Sequence, residues 1–249
     1  MSAFTVLLRR ELLSYFVSLT GYVIIAAITF VTGLSFVQLI AALGNDPFPI
    51  PVTQIFFDTP YFWMILFLSA PVVTMRLFAL EKSSGTFETL MTAPIGDFEV
   101  VAAKFGAAFL FYVIMWLPLL ACLFLVSRFT SQGALDFGTV GGLYLGILLA
   151  GGFFLSFGCL ASALSRNQMT AAMISLAFGV SQFALAYWAK SLPMSDTWQS
   201  ELLSCLNLFD QMVDFARGTV DTRALIFYLS TTFLFLFLTL RVVESRRWK

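Results

Sequence analysis

The residues able to do chemistry in this chain are few, and they cluster. Histidine is absent from the 249 residues, which removes the commonest general base and metal ligand. Cys122, Cys159 and Cys205 show no CxxC spacing, and the first two sit in apolar surroundings, which argues against a zinc site or a disulfide framework. No Gly-rich phosphate-binding loop ending in Lys-Ser or Lys-Thr occurs. What stands out is ALEKSSGTFETLMTAP, Ala79 to Pro94, a polar stretch in an otherwise oily chain. Gly85 permits a turn. Thr86 can cap a helix, and Glu88 near its start suits the helix dipole. Phe87, Leu90 and Met91 fall at i, i+3 and i+4 and share one face. Glu88, Thr89 and Thr92 take the other face, and Pro94 stops the helix after one or two turns. A helix of this kind either lies on lipid headgroups or fits a groove on a partner protein. Its chemistry is recognition, not catalysis.

The elements that hold this stretch follow from composition. The chain is 59% hydrophobic and 11% charged, against about 25% charged for an average globular domain. That places it in the membrane class and argues against a soluble all-α core. Net charge is zero, so no basic field points to nucleic acid. Residues 12–45, 59–75, 105–127, 137–165, 167–189 and 224–240 carry no Asp, Glu, Lys or Arg. Each run is long enough for a helix to cross a ~30 Å hydrocarbon core, the two shortest with help from snorkelling Arg76, Arg223 and Arg241. The expectation is an all-α integral membrane protein with six transmembrane helices at about 20–43, 60–80, 104–127, 138–163, 168–190 and 223–241. Residues 1–249 then form a single membrane domain. The first run is too long for a cleaved signal peptide.

Before it, Val6, Leu7, Arg9, Arg10 and Leu13 suggest a short interfacial amphipathic helix. With both termini inside, ten of the fourteen Lys and Arg fall on the inner side, so the polar stretch lies in the cytoplasm. Asp97 can cap a helix, FEVVAAK, that leads into the third span. The short inner loop at Arg166, Asn167 and Gln168 is a secondary cytoplasmic contact. Gly138, Gly142, Gly146 and Ala150 form a stripe of small residues on the fourth span, suited to close helix packing within a subunit or between subunits. Pro71 and Pro118 each remove a backbone hydrogen bond inside a span. In the last outer segment Leu202, Leu203, Leu206, Phe209, Met212 and Val213 recur at helical spacing, and Gly218 is a stop. No charge lies at mid-span, which counts against an ion-coupled carrier and an intramembrane protease. Gln38, Gln182 and the scattered Ser and Thr read as helix–helix hydrogen bonds rather than substrate ligands.

The pattern Glu81, Gly85-Thr86, Glu88, Leu90, Pro94, then Asp97 and Lys104, resembles the permease subunits of ABC-2-type transporters. The start, LRRELLSYFVSLTGYV, resembles the family's interfacial helix and first span, departing from it at Leu19, where a Pro is expected. The end, FARGTVDTRALIFYLSTTFLFLFLTLRVVESRRW, resembles the gliding-motility-associated and nitrous-oxide-maturation-like branches.

The resemblance implies that the helix within Ala79–Pro94 is a cytoplasmic coupling helix between spans two and three. Glu81, Gly85, Thr86, Phe87, Glu88, Leu90, Met91 and Pro94 would form its docking segment. It also implies two copies of an ABC ATP-binding subunit that hold ATP and Mg, a second permease subunit, identical or related, and short re-entrant helices at the outer gate. Spans two and five would reorganise. No catalytic residue, metal or cofactor site is expected in this chain. The expected location is the bacterial inner membrane, among lipid, with room for an extracytoplasmic accessory protein. The alternatives are a non-transporting scaffold that passes ATPase-driven force outward and, behind it, a secondary transporter.

Overall fold

The computed structural model describes residues 3–43, 52–88, 95–129, 137–191 and 207–247. The regular structure among them is helical: α1 (Ala3–Val17), α2 (Leu19–Leu43), α3 (Val52–Asp58), α4 (Pro60–Thr74), α5 (Ala79–Ser84), α6 (Asp97–Phe129), α7 (Phe137–Leu164), α8 (Gln168–Ser191), α9 (Leu208–Ala216) and α10 (Thr222–Arg247). Six segments are long and apolar enough to cross a membrane: Leu19–Ala41, Pro60–Ser84, Asp97–Leu125, Gly138–Leu164, Gln168–Trp188 and Thr222–Ser245. Each expected span has its counterpart. The end of the bundle where α1 meets the 75–78 turn and α5 is called here the terminal face.

The bundle is organised around α7. Of its apolar window 72% is buried, against 17% for α2 and α10 and 22% for α8. A helix apolar on every side belongs inside, and one clothed by lipid or a neighbour belongs outside. Accordingly α7 contacts α4, α6, α8, α9 and α10, while Phe30, Met173, Tyr187 and Phe233 on the outer helices are exposed. Glycines let α7 be approached from several sides. A Cβ on Gly142 would stand 2.4 Å from the Phe215 carbonyl oxygen, and one on Gly146 would stand 3.0 Å from the Phe215 side chain. Ala150 is fully buried, whereas Gly138 is exposed. The close approach along this stripe is therefore made to α9 of the same chain. Two glycines outside the stripe serve the same end: a Cβ on Gly151 would strike the Tyr112 ring on α6, and one on Gly158 would strike Thr74 at the end of α4.

The second span differs from a single helix over 60–80. It ends at Thr74, a turn covers 75–78, and α5 follows. A helix end leaves carbonyls, and a helix start amides, without intrahelical partners, and side chains from elsewhere supply them here. Tyr15 on α1 donates to the Val73 carbonyl at 2.9 Å. Ser162 on α7 accepts from the Phe78 and Ala79 amides, each at 3.1 Å.

The hydroxyls at depth divide between two uses. Ser69, Ser156, Thr231 and Thr239 bond carbonyls three or four residues back on their own helices. Others bond between elements, as expected: Ser35 on α2 shares a hydrogen bond of 2.9 Å with Thr59 before α4, and tyrosines add Tyr112 to the Ile147 carbonyl at 3.2 Å and Tyr144 to the Trp116 carbonyl at 2.8 Å.

At the α1–α2 corner the chain bends at Ser18 without proline. Gly21 makes this bend feasible, since a Cβ there would lie 2.0 Å from the Tyr15 carbonyl oxygen. On the face away from the termini, α3 packs against α9, with Thr53 donating to the Ala216 carbonyl at 2.7 Å and Arg217 to Gln54 at 3.1 Å. The helix expected over the last outer segment is described from Leu208 to Ala216, capped by Asn207 and closed by Gly218 at φ 78°. Leu202, Leu203 and Leu206 lie outside the described residues.

Gly142→Ala should lower the melting temperature of the detergent-solubilised protein, at a cost of about 1–3 kcal/mol from overpacking against backbone. Gly141→Ala, which meets nothing within 4 Å, should leave it unchanged.

Candidate functional site

The polar stretch on the terminal face rests on a buried charge. Lys104 is the eighth residue of α6, and its side chain is 3% exposed. An ammonium has three N–H donors. Here it hydrogen-bonds Glu11 Oε1 at 3.2 Å and the Leu77 carbonyl at 2.8 Å, and it forms an ion pair with Glu81 Oε1 at 2.9 Å. The Phe78 ring adds a face 5.4 Å from Nζ. Arg10, half exposed, closes the cluster from outside at 2.6 Å to Glu11 and 3.2 Å to Glu81. One residue thus ties α6 to α1, to α5 and to the turn between α4 and α5. Two cations meet two carboxylates, so the cluster is balanced within itself. The second oxygen of Glu81, Oε2, is buried and has no hydrogen-bond partner among the described residues.

The electrostatics follow from this geometry. Burial by itself would raise the Glu11 carboxyl, but Lys104 and Arg10 outweigh it and hold Glu11 below the usual carboxylate range. The hydrogen bond to Glu11 raises the Arg10 guanidinium despite partial burial. Tyr15, beneath the cluster, is pushed up by burial and by the Glu11 charge.

A second tie holds α5 to α7. Lys82 Nζ donates to the Ala163 carbonyl near the α7 C-terminus, where a cation also suits the helix dipole. The same ammonium lies 5.4 Å from the Phe87 ring centroid. Gly85 ends α5 in the left-handed region at φ 76°, a conformation that favours glycine.

Of the residues singled out from sequence, Glu81 lies inside the cluster. Thr86 is not a cap: residues 86–88 are already helical, and its hydroxyl turns back to Ser84 at 2.8 Å. Thr86 and Glu88 are exposed, whereas Phe87 is 7% exposed and packs into the core. Leu90, Met91 and Pro94 lie outside the described residues. Arg166 and Asn167 are exposed and Gln168 is half-buried; Asn167 caps α8 by accepting from the Met169 amide at 3.1 Å. Because α5 contacts both α7 and α8, the polar stretch and the 166–168 loop share the terminal face. Glu11 went unread in the sequence, and Arg10 read as a plain interfacial cation. The only signal was an acid beside two arginines, and a pairing across 93 residues leaves no local trace.

The family model described as ABC-2 family transporter protein matches residues 8–182. The chain belongs to the ABC-2 transporter family. The matched segment runs from α1 into α8 and so includes every member of the charged cluster. A comparison with curated proteins finds no match. As an ABC-2 permease, the chain is a multi-pass membrane protein of a kind that works with an ATP-binding subunit and is generally not itself a catalyst.

Lys104→Met strands two carboxylates and should cost about 3–5 kcal/mol in thermal unfolding, and the triple variant with Glu11→Gln and Glu81→Gln should recover much of that loss. Because Glu11 is depressed on folding, its stabilisation is present above the ordinary carboxylate range of about 4.3 and is lost as pH falls through its lower folded value. Acid titration of the melting temperature should show this loss in the native chain and a shallower one in Glu11→Gln.

Proposed function

We propose that this permease couples ATP hydrolysis in a separate ATP-binding subunit to export or conformational work across the membrane, and that the terminal face is where that subunit docks. The observation that carries the reading is the cluster. The segment that carries the exposed Thr86 and Glu88 follows α5 after Gly85, and α5 is joined through Glu81 to α1 and α6 and through Lys82 to α7. A push on this segment reaches three other helices through defined bonds. Docking through an exposed helical surface is a recurrent mode of recognition. The polar face, with Thr86 and Glu88, is the part of the described stretch open to a partner. Arg166 and Asn167 supply a second contact.

In this reading the terminal face is cytoplasmic and the membrane is the bacterial inner membrane, as the excess of Lys and Arg on that side supports. Two permease subunits, identical or related, pair with two ATPases that bind ATP and Mg. The gliding-motility or nitrous-oxide-maturation branch rests on C-terminal residues, all of which lie beyond the matched segment.

Glu88→Arg and Leu90→Asp should leave membrane insertion intact and weaken co-purification of the ATP-binding subunit by about tenfold, equivalent to roughly 1.4 kcal/mol. Transport should fall with it. Full retention of the ATPase and normal transport in both variants would remove the docking role.

A further inference from the structure

A cleft of about 660 Å³ opens beside the charged cluster, between α1, the 75–78 turn and α5. Its volume lies within the ~300–1,000 Å³ range of small-molecule sites. Leu7, Leu77, Leu80 and Ile95 give it an apolar side. Its charged lining is Arg10, Glu11, Arg76, Glu81 and Lys104. Four of these neutralise one another in the cluster described above, and the fifth, Arg76, does not take part.

The Arg76 guanidinium is held at 2.7 Å from Thr20 Oγ1 and 3.4 Å from Ser18 Oγ, with no carboxylate partner among the described residues. The Ser18 and Thr20 hydroxyls share a hydrogen bond of 2.6 Å. These hydroxyls orient the guanidinium without themselves lining the cleft. An oriented guanidinium on the cleft wall matches a phosphate oxygen pair. The place in the chain fits as well. Thr20 stands at the start of α2 and Arg76 just past the end of α4, and an arginine there can snorkel toward lipid headgroups. The net charge of the lining is one positive, which favours a headgroup of net negative charge.

We propose that this cleft binds the phosphate of an anionic phospholipid of the terminal-face leaflet, with Arg76 as its principal ligand and the apolar side against the first acyl carbons.

The test is native mass spectrometry of the full-length chain in mild detergent, titrated with phosphatidylglycerol or phosphatidylcholine. Phosphatidylglycerol should be retained in preference. Arg76→Gln should weaken its retention about fivefold, the worth of roughly one basic side chain near an anionic surface. Arg76→Lys should keep most of it, which separates loss of charge from loss of fold. Arg9→Gln, an exposed cation on α1 outside the cleft, should change nothing. Equal retention of the two lipids, an unaltered Arg76→Gln, or an equal loss in Arg9→Gln would overturn the site. Displacement of phosphatidylglycerol by inorganic phosphate would assign the cleft to free phosphate and overturn the lipid. The readout involves no ATPase, so its failure leaves the docking reading standing.

Discussion

The terminal half of this molecule depends on the Lys104 ammonium having been taken out of water. Removing a charge from water costs several kcal/mol even after relaxation, and only near-complete pairing repays it. Lys104 is repaid by two carboxylates and a carbonyl, each from a different segment of chain. The requirement therefore fixes three placements together. The α1 helix must lie where Glu11 reaches inward, α5 must turn Glu81 toward α6, and the second span must end early enough for the Leu77 carbonyl to face Lys104. An apolar contact tolerates sliding, because dispersion and burial are nearly isotropic. Two hydrogen bonds and an ion pair from one nitrogen do not.

The rest of the bundle is held by a different logic. Where all side chains are apolar, tight approach is worth more than polarity, and small residues govern how near two backbones come. The α7 helix concentrates this device. Gly142 and Gly146 admit α9, Gly151 admits Tyr112 of α6, and Gly158 admits Thr74 of α4. Around it the tyrosines add polar ties between helices. Their hydroxyls reach carbonyls on other helices, while some of the short hydroxyls fold back on their own. A long, stiff side chain with one polar tip suits a wider helix gap.

Much of this was legible in the sequence, for a physical reason. Runs free of charge register directly as spans, because the bilayer selects composition and length. Gly85 and Gly218 likewise mark the backbone positions that need positive φ. The interruption after Thr74 was hidden. Pro71 marks the region, but the turn is made stable by Ser162 and Lys104, both distant in sequence. Helical spacing placed Phe87 on a common face without telling which way that face points. The structure turns it inward, beneath the Lys82 ammonium. The α3 helix had no periodic signal strong enough over seven residues.

The two kinds of bond also divide the molecule into parts that can shift and parts that cannot. Glycine-mediated contacts along α7 are close fits with no room for an added methyl group, so displacement there costs packing at once. The α5 segment is different. It is six residues long, its ties are side-chain ends, and one oxygen of Glu81 has no partner among the described residues. A buried acceptor without a donor gives up little when it moves into contact with water. The segment next to the exposed Thr86 and Glu88 is thus short, held by side-chain ends and bonded to α1, α6 and α7. That combination, short but multiply connected, is what an element needs if an outside force is to be passed inward to several helices at once.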